Sequence, residues 1–136
     1  MADNLDRFVR AQQGSYDGAL AELRRGVKRQ HWMWWIFPQI AGLGRSDTAW
    51  HYAIASGDEA RAYLAHPVLG PRLIAATEAV AAAPGTAVDI MGAIDAMKLR
   101  SSMTLFEAVA DDQRPFAVVL DRFFDGERDR ETLVRL

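Results

Sequence analysis

Apolar residues recur every three or four positions along almost the whole chain, and glycine or proline interrupts this helical periodicity at short intervals. Tyr16, Leu20 and Leu23, for example, form one apolar stripe between Gly14 and Gly26. Almost no segment shows the alternation of apolar and polar residues that is typical of a half-buried strand. The sequence therefore predicts an all-α fold, a single irregular domain of seven to nine mostly short helices, with no sheet of three or more strands.

Helix starts are marked by residues that can accept hydrogen bonds from free backbone N–H groups. Ser56 and Glu59 have the spacing of a capping box, in which each side chain bonds the backbone N–H of the other residue. Residues 34–37 could form a helical turn or a short strand, because the residue before Pro38 is pushed out of the α region. The other predicted starts are Asn4, Ser46, Thr86, Asp95, Pro115 and Asp129.

Length and composition exclude several classes of protein. The 136 residues suit one domain, residues 1–136, and the net charge of −2 gives no reason to expect a nucleic-acid partner. The absence of cysteine excludes disulfides and thiolate catalysis. No phosphate-loop or dinucleotide motif is present, so no cofactor is predicted. With Asp3 and Asp6 before any apolar run and no stretch long enough for a bilayer, we expect a cytoplasmic protein and no membrane partner.

Two blocks of the sequence have an unusual composition. Residues 31–39, the tryptophan segment, read His-Trp-Met-Trp-Trp-Ile-Phe-Pro-Gln, and residues 98–106 begin with Lys-Leu-Arg-Ser-Ser. Together with Lys28 and residues 42–46, 62–67, 69–73 and 120–124, they resemble a bacterial family, the domain of unknown function numbered 1810, over nearly the whole chain. Trp35 stands where that family more often has phenylalanine. The resemblance implies an all-helical fold and no established activity.

The tryptophan segment has two possible roles. Its rings supply a large apolar area, and each buried indole N–H needs a hydrogen-bond partner. The segment could be the aromatic centre of the core, or the wall of a pocket in which a ring stacks on a flat ligand. His31 is the candidate acid–base residue, although a structural histidine is more common. The three histidines lack the spacing of a helical metal pair, so no metal site is predicted.

The predicted helix from Asp95 to about Ala110 places polar residues within its apolar side. Lys98 and Ser102 share one arc with Leu99, Met103, Leu105, Phe106 and Val109. A buried lysine is costly unless it is paired or faces a polar cavity. Lys98 could therefore pair with Asp95 or Asp121, or bind a ligand. Arg100, Ser101 and Thr104 are expected to point away from the arc, where Arg100 could clamp a carboxylate or phosphate.

Two further segments could attract anions. Residues 42–46, Gly-Leu-Gly-Arg-Ser, resemble part of a phosphate-binding loop before a helix, and Arg45 could assist. A basic cluster precedes the tryptophans, as in proteins that bind single-stranded nucleic acid. It consists of Arg24, Arg25, Lys28 and Arg29. Cations at a helix end explain that cluster equally well.

Three functions stay open at this point. The first is a small-ligand pocket, with or without catalysis, for an anionic or nucleotide-like compound between the tryptophan segment and the Lys98 helix. The second is a protein-interaction module, and the weakest is a binder of single-stranded nucleic acid. His31 is the catalytic candidate, and the ligand-binding candidates are Lys28, Trp34, Gln39, Arg45, Lys98, Arg100, Ser101 and Ser102. The predicted core contains Trp34, Phe37, Leu99, Met103, Phe106, Leu120 and Phe123.

Overall fold

The computed structural model of the protein describes residues 5–136, which form ten α-helices and no strand. An isolated parallel bridge joins Ile40 to Ile54. None of these helices is long and apolar enough to cross a membrane. The helices are α1 (Asp6–Gln13), α2 (Tyr16–Arg25), α3 (Met33–Ile36), α4 (Asp47–His51), α5 (Gly57–Ala65), α6 (Leu69–Ala82), α7 (Ala87–Met91), α8 (Ala93–Val109), α9 (Arg114–Phe124) and α10 (Arg130–Val134).

The all-α prediction is confirmed, but the predicted number of seven to nine helices is too low. Four of the ten helices have only four or five residues: α3, α4, α7 and α10. Three of these have predicted starts, at Ser46, Thr86 and Asp129, so the difference arises at α3, which is a single turn of four residues. Residues 34–37, for which the sequence allowed a turn or a strand, contribute to the single turn of α3.

Most of the predicted helix starts are found. The Ser46 hydroxyl accepts the N–H of Ala49 at 3.0 Å, and the Ser56 hydroxyl accepts that of Glu59 at 3.2 Å. The reciprocal half of the Ser56 capping box is not formed, because the Glu59 carboxylate accepts the Ala55 N–H and a hydrogen bond from Arg7. The predicted cap Asn4 lies outside the described residues.

The long helix α8 is the centre of the domain. It packs against α5, α7, α9 and α10, so side chains on several of its faces are covered. Phe106 has no exposed surface and its ring lies 5.3 Å from Tyr63 and 6.1 Å from Phe116. Ser101 and Thr104, which were expected to point away from the apolar arc, are therefore buried as well, and both bond to Asp129 beside α10.

Most of the predicted core is buried as expected. Phe37, Leu99, Met103, Phe106 and Leu120 have no exposed surface. Trp34 and Phe123, which were also expected in the core, are only partly buried. The Trp34 ring lies beneath the Lys98 ammonium, and the Phe123 ring beneath the Arg122 guanidinium, so each ring is covered partly by a charged side chain.

The tryptophan segment lies near helices from the N-terminal part and from the middle of the chain. Its helix, α3, contacts α1, while α2 packs on α6. The N–H of Lys28 donates to the carbonyl of Ile90 at 2.7 Å, which ties the start of this region to α7. The segment can therefore contact residues of the α1–α2 junction as well as residues of α8.

Candidate functional site

Lys28, Asp95 and Lys98 form a charged cluster beside the tryptophan segment, which we call the lysine network. The Asp95 carboxylate lies 2.9 Å from Lys28 Nζ and 3.3 Å from Lys98 Nζ. Lys98 Nζ also lies 4.0 Å from the centroid of the Trp34 ring, and Lys28 Nζ lies 5.1 Å from that of Trp32. An ammonium is attracted to a ring face at these distances. Both lysines are thus held by a shared carboxylate and an indole.

Little free space adjoins this network at Trp34 and Gln39. The space bounded by these two side chains and by residues 42–44 measures about 10 Å³, no more than one water needs. A Cβ added at Gly44 would lie 2.6 Å from the Ala49 side chain and 3.6 Å from the Trp34 ring, so the loop packs tightly there. Arg45, in the same loop, is exposed.

Ser101 belongs to a polar contact between α8 and the C-terminal segment. Its hydroxyl donates to the Asp129 carboxylate at 2.7 Å, and the Asp129 N–H donates to the Thr104 hydroxyl at 2.9 Å. Burial by itself raises the pKa of Asp129, but hydrogen bonds from Thr132 and Ser101 bring the pKa below its ordinary value. These groups hold α10 against α8.

Arg100 contacts the C-terminal segment, and Ser102 lies in the core. The Arg100 guanidinium donates to the backbone carbonyls of Glu127 at 3.0 Å and Arg128 at 2.9 Å. Ser102 is fully buried, and its hydroxyl has no hydrogen-bond partner among the residues that the structure describes. Arg100 thus joins Ser101 in fixing the C-terminal segment, whereas Ser102 is a core residue.

A cavity of about 370 Å³ lies between the α1–α2 junction and the tryptophan segment, and we call it the tryptophan cavity. Its volume is within the range of small-molecule sites. The α1–α2 side contributes only small residues, and the other side contributes two indoles, an imidazole and an amide. The lining residues are Gly14, Ser15, Gly18, Ala19, Gln30, His31, Trp32 and Trp35.

Gly14 and Gly18 leave space in this cavity, although the backbone conformation at these positions does not require glycine. Gly14 has φ −105°, and Gly18 is not among the residues with positive φ. A Cβ added at either position would meet nothing within 4 Å. Gly18 is inside α2, where glycine is less stable than alanine by about 0.5–1 kcal/mol. Neither conformation nor close packing therefore explains the glycine at this position.

The two indoles of the cavity are fixed through their N–H edges. Trp35 Nε1 donates to the Ser15 hydroxyl at 2.9 Å, and Trp32 Nε1 donates to the buried carboxylate of Glu22 at 2.9 Å. The same carboxylate accepts the backbone N–H groups of Arg29 and Gln30. Burial by itself raises the pKa of Glu22, but these three donors bring the pKa below its ordinary value. Trp32 is almost fully buried, whereas Trp35 is half-buried and offers surface to the cavity.

Behind Trp35 lies a buried amide that the sequence analysis did not identify. Gln12 is 2% exposed, and its Nε2 donates to the Trp35 carbonyl at 2.8 Å and to the Tyr63 hydroxyl at 3.1 Å. The Arg72 guanidinium donates to Gln12 Oε1 at 3.4 Å. The available signal was the position of Gln12, four residues after Phe8 on the apolar stripe of the first helix.

The structure separates the predicted site residues into distinct groups. His31 is exposed and is the one predicted residue that lines the tryptophan cavity. Lys28, Trp34 and Lys98 belong to the lysine network, and Gln39 borders the small space beside it. In the described part of the chain, no group of three or more histidine or carboxylate side chains could hold a metal ion.

The basic cluster and the tryptophans do not form one exposed surface. Arg24, Arg25 and Arg29 are exposed, but Lys28 is buried against Asp95. The exposed indole in the described residues is that of Trp50, on α4 rather than beside the cluster. The exposed arginines and the exposed indole therefore lie on different elements of the fold.

Comparisons with known proteins agree with this architecture. The chain is similar to a solved conserved hypothetical protein from Mycobacterium tuberculosis, Rv1873, with 46% sequence identity and a TM-score of 0.96. The likeness covers 98% of this chain and 96% of that one. No curated protein matches the chain. The model of a family described as protein of unknown function, DUF1810, matches residues 2–136. The chain therefore belongs to the DUF1810 family.

Proposed function

We propose that the protein binds a small molecule with a flat aromatic ring, of the size of a nucleoside, in the tryptophan cavity. The observation that carries this proposal is a cavity of about 370 Å³ with two indoles whose N–H groups are hydrogen-bonded. On the facing side, at the α1–α2 junction, the lining residues are only glycine, alanine and serine. A ring face that is fixed in place stacks on any planar heterocycle, and such stacking contributes about 1–3 kcal/mol per base.

The polar groups at the cavity suit the edge of a heterocycle. Gln30 carries both a donor and an acceptor, and His31 carries one of each in its neutral form. Both side chains are exposed, so they can turn toward a bound ring. His31 is also the candidate acid–base residue of this cavity if the bound compound reacts.

The test is the melting temperature of the protein with and without adenosine, guanosine, cytidine and uridine. A ligand that binds the native state selectively raises the melting temperature, so we expect a rise with at least one of these nucleosides. Gly18→Leu should abolish the rise, because its side chain fills the cavity. Gly18→Ala is the matched control, since it makes the same backbone change but leaves most of the space, and it should keep the rise.

Two results would contradict the proposal. One is a melting temperature that none of the four nucleosides changes. The other is a rise that persists in full in Gly18→Leu, which would place the binding site elsewhere.

A protein-interaction module is the second candidate function. Ile94 and Met97 lie about one turn apart on α8 and are 73% and 71% exposed, which is unusual for adjacent large apolar residues. The double substitution Ile94→Glu and Met97→Glu separates the two functions. A nucleoside response that survives it belongs to the tryptophan cavity, whereas a response that is lost would assign binding to this apolar surface.

A further inference from the structure

A second cavity, of about 510 Å³, lies next to the tryptophan cavity and has a different lining. We call it the arginine cavity, and its lining residues are Asp6, Arg7, Arg10, Ala11, His51 and Tyr52. Charged and polar side chains predominate there, in contrast to the small and aromatic residues of the tryptophan cavity.

The two cavities share a boundary. The Tyr52 ring of the arginine cavity lies 5.2 Å from the Trp35 ring of the tryptophan cavity. The Ser15 hydroxyl of the tryptophan cavity donates to the carbonyl of Ala11, which lines the arginine cavity, at 2.7 Å. One small molecule with a ring at one end and a charged group at the other could therefore contact both cavities.

One cation of the arginine cavity is fixed, and the other is exposed. The Arg7 side chain is 8% exposed and donates to the carbonyls of His51 and Ala53, each at 2.7 Å, and to the Glu59 carboxylate. This guanidinium holds the end of α4 in place against α1. Arg10 is one turn further along α1 and is exposed, as is His51. Arg10 and His51 therefore converge on the cavity from α1 and from α4.

We infer that the arginine cavity binds the phosphate of a nucleoside monophosphate whose base occupies the tryptophan cavity. Guanidinium and imidazole N–H groups are strong donors to phosphate oxygens. Asp6 also lines the cavity and opposes this binding through its negative charge. The base part of this inference rests on the proposed function, whereas the phosphate part rests on the arginine cavity alone.

The first experiment compares the dissociation constants of adenosine and adenosine 5′-monophosphate by calorimetry. We expect the monophosphate to bind about tenfold more tightly, the effect of one or two charge-assisted hydrogen bonds. Arg10→Gln and His51→Gln should each reduce this ratio and leave the affinity for adenosine unchanged. Asp6→Asn should raise the ratio, an effect of opposite sign that a merely structural role of these residues would not produce.

The outcomes separate this inference from the proposed function. Equal affinities for adenosine and its monophosphate would overturn the phosphate site and leave the base site intact. If none of the four nucleosides and no nucleoside 5′-monophosphate binds, but inorganic phosphate shifts the backbone amide resonances of Arg10 and His51, the phosphate site stands and the proposed base site is wrong. A ratio that Arg10→Gln, His51→Gln and Asp6→Asn all leave unchanged would also overturn the phosphate site.

Discussion

The lysine network and the tryptophan cavity involve the same tryptophan segment and use it in opposite ways. In the lysine network, Trp34 and Trp32 lie beneath ammonium groups, and Asp95 joins the two lysines. In the tryptophan cavity, Trp35 is held by its edge and its neighbours across the gap are glycines. The charged residues of the lysine network therefore stabilise the fold, whereas the glycines of the tryptophan cavity leave space in which a ligand can bind.

The largest effect expected in the lysine network is that of Asp95→Ala. Without the carboxylate, the buried Lys28 and the partly buried Lys98 lose their common partner. Breaking a buried pair in this way should lower the free energy of unfolding by about 3 kcal/mol, the low end of the usual range, because Asp95 is 19% exposed. Urea denaturation measures the change. A variant as stable as the wild type would show that the network does not hold this region together.

A smaller effect is expected where the tryptophan cavity is supported. Glu22→Gln keeps the shape of the side chain but removes the charge that accepts three N–H donors. At neutral pH it should cost about 2 kcal/mol of unfolding free energy, the scale of hydrogen bonds to a charged group.

The cost of Glu22→Gln should depend on pH. The folded pKa of Glu22 lies below its ordinary value of 4.5, so the carboxylate contributes its full stabilisation above pH 4.5. This contribution is lost as the pH falls through the lower, folded pKa. Urea midpoints of the variant and the wild type should therefore converge as the solution is acidified. A gap that stays constant under acid would show that shape, and not charge, causes the difference.

Lys98→Met should have little effect on stability. Lys28 still pairs with Asp95 in this variant, and the methionine stem can cover the Trp34 ring in place of the lysine stem. A partly exposed ion pair of this kind contributes about 0–1 kcal/mol. The nucleoside response should also remain. If the response is lost while stability stays normal, the ligand binds at the lysine network and not in the tryptophan cavity.

Gly18→Ala should have a similarly small effect on the free energy of unfolding, with the opposite sign. Alanine suits the interior of α2 better than glycine, and its Cβ meets no atom within 4 Å. The free energy of unfolding should therefore rise by about 0.4–1 kcal/mol. A loss of stability in urea denaturation would reveal a backbone requirement at Gly18 and would weaken the conclusion that its space serves a ligand.

The sequence predicts the elements of this fold much better than it predicts the site. Capping residues and apolar stripes act within a few positions, so most helix starts and the buried Phe106 could be predicted from sequence, and Asp95 was one of the possible partners of Lys98. The number of faces that α8 buries depends on how many helices surround it. The apolar pattern of α8 alone carries no information about that number. For this reason the burial of Ser101 and Thr104 was not predicted.

The tryptophan cavity could not be predicted from the sequence for a related reason. Gly14 and Gly18 appear as a helix break and a weak point in a helix, because only the fold brings them opposite the tryptophan segment. Gln12 is likewise an ordinary polar residue until Tyr63 and the Trp35 carbonyl, far away in the sequence, become its partners. His31 differs because it adjoins Trp32 in the sequence and lines the cavity together with it.

The four tryptophans of the chain allow a direct test of where the ligand binds. Each indole N–H gives its own signal in a ¹⁵N–¹H correlation spectrum: Trp32 and Trp35 report on the tryptophan cavity, Trp34 on the lysine network and the exposed Trp50 on the surface. During a titration with each of the four nucleosides and its 5′-monophosphate, the signals of Trp35 and Trp32 should move with at least one of them, while those of Trp34 and Trp50 stay in place. Movement of Trp34 without Trp35, or no movement of any indole signal, would contradict the central claim that the tryptophan cavity is the binding site.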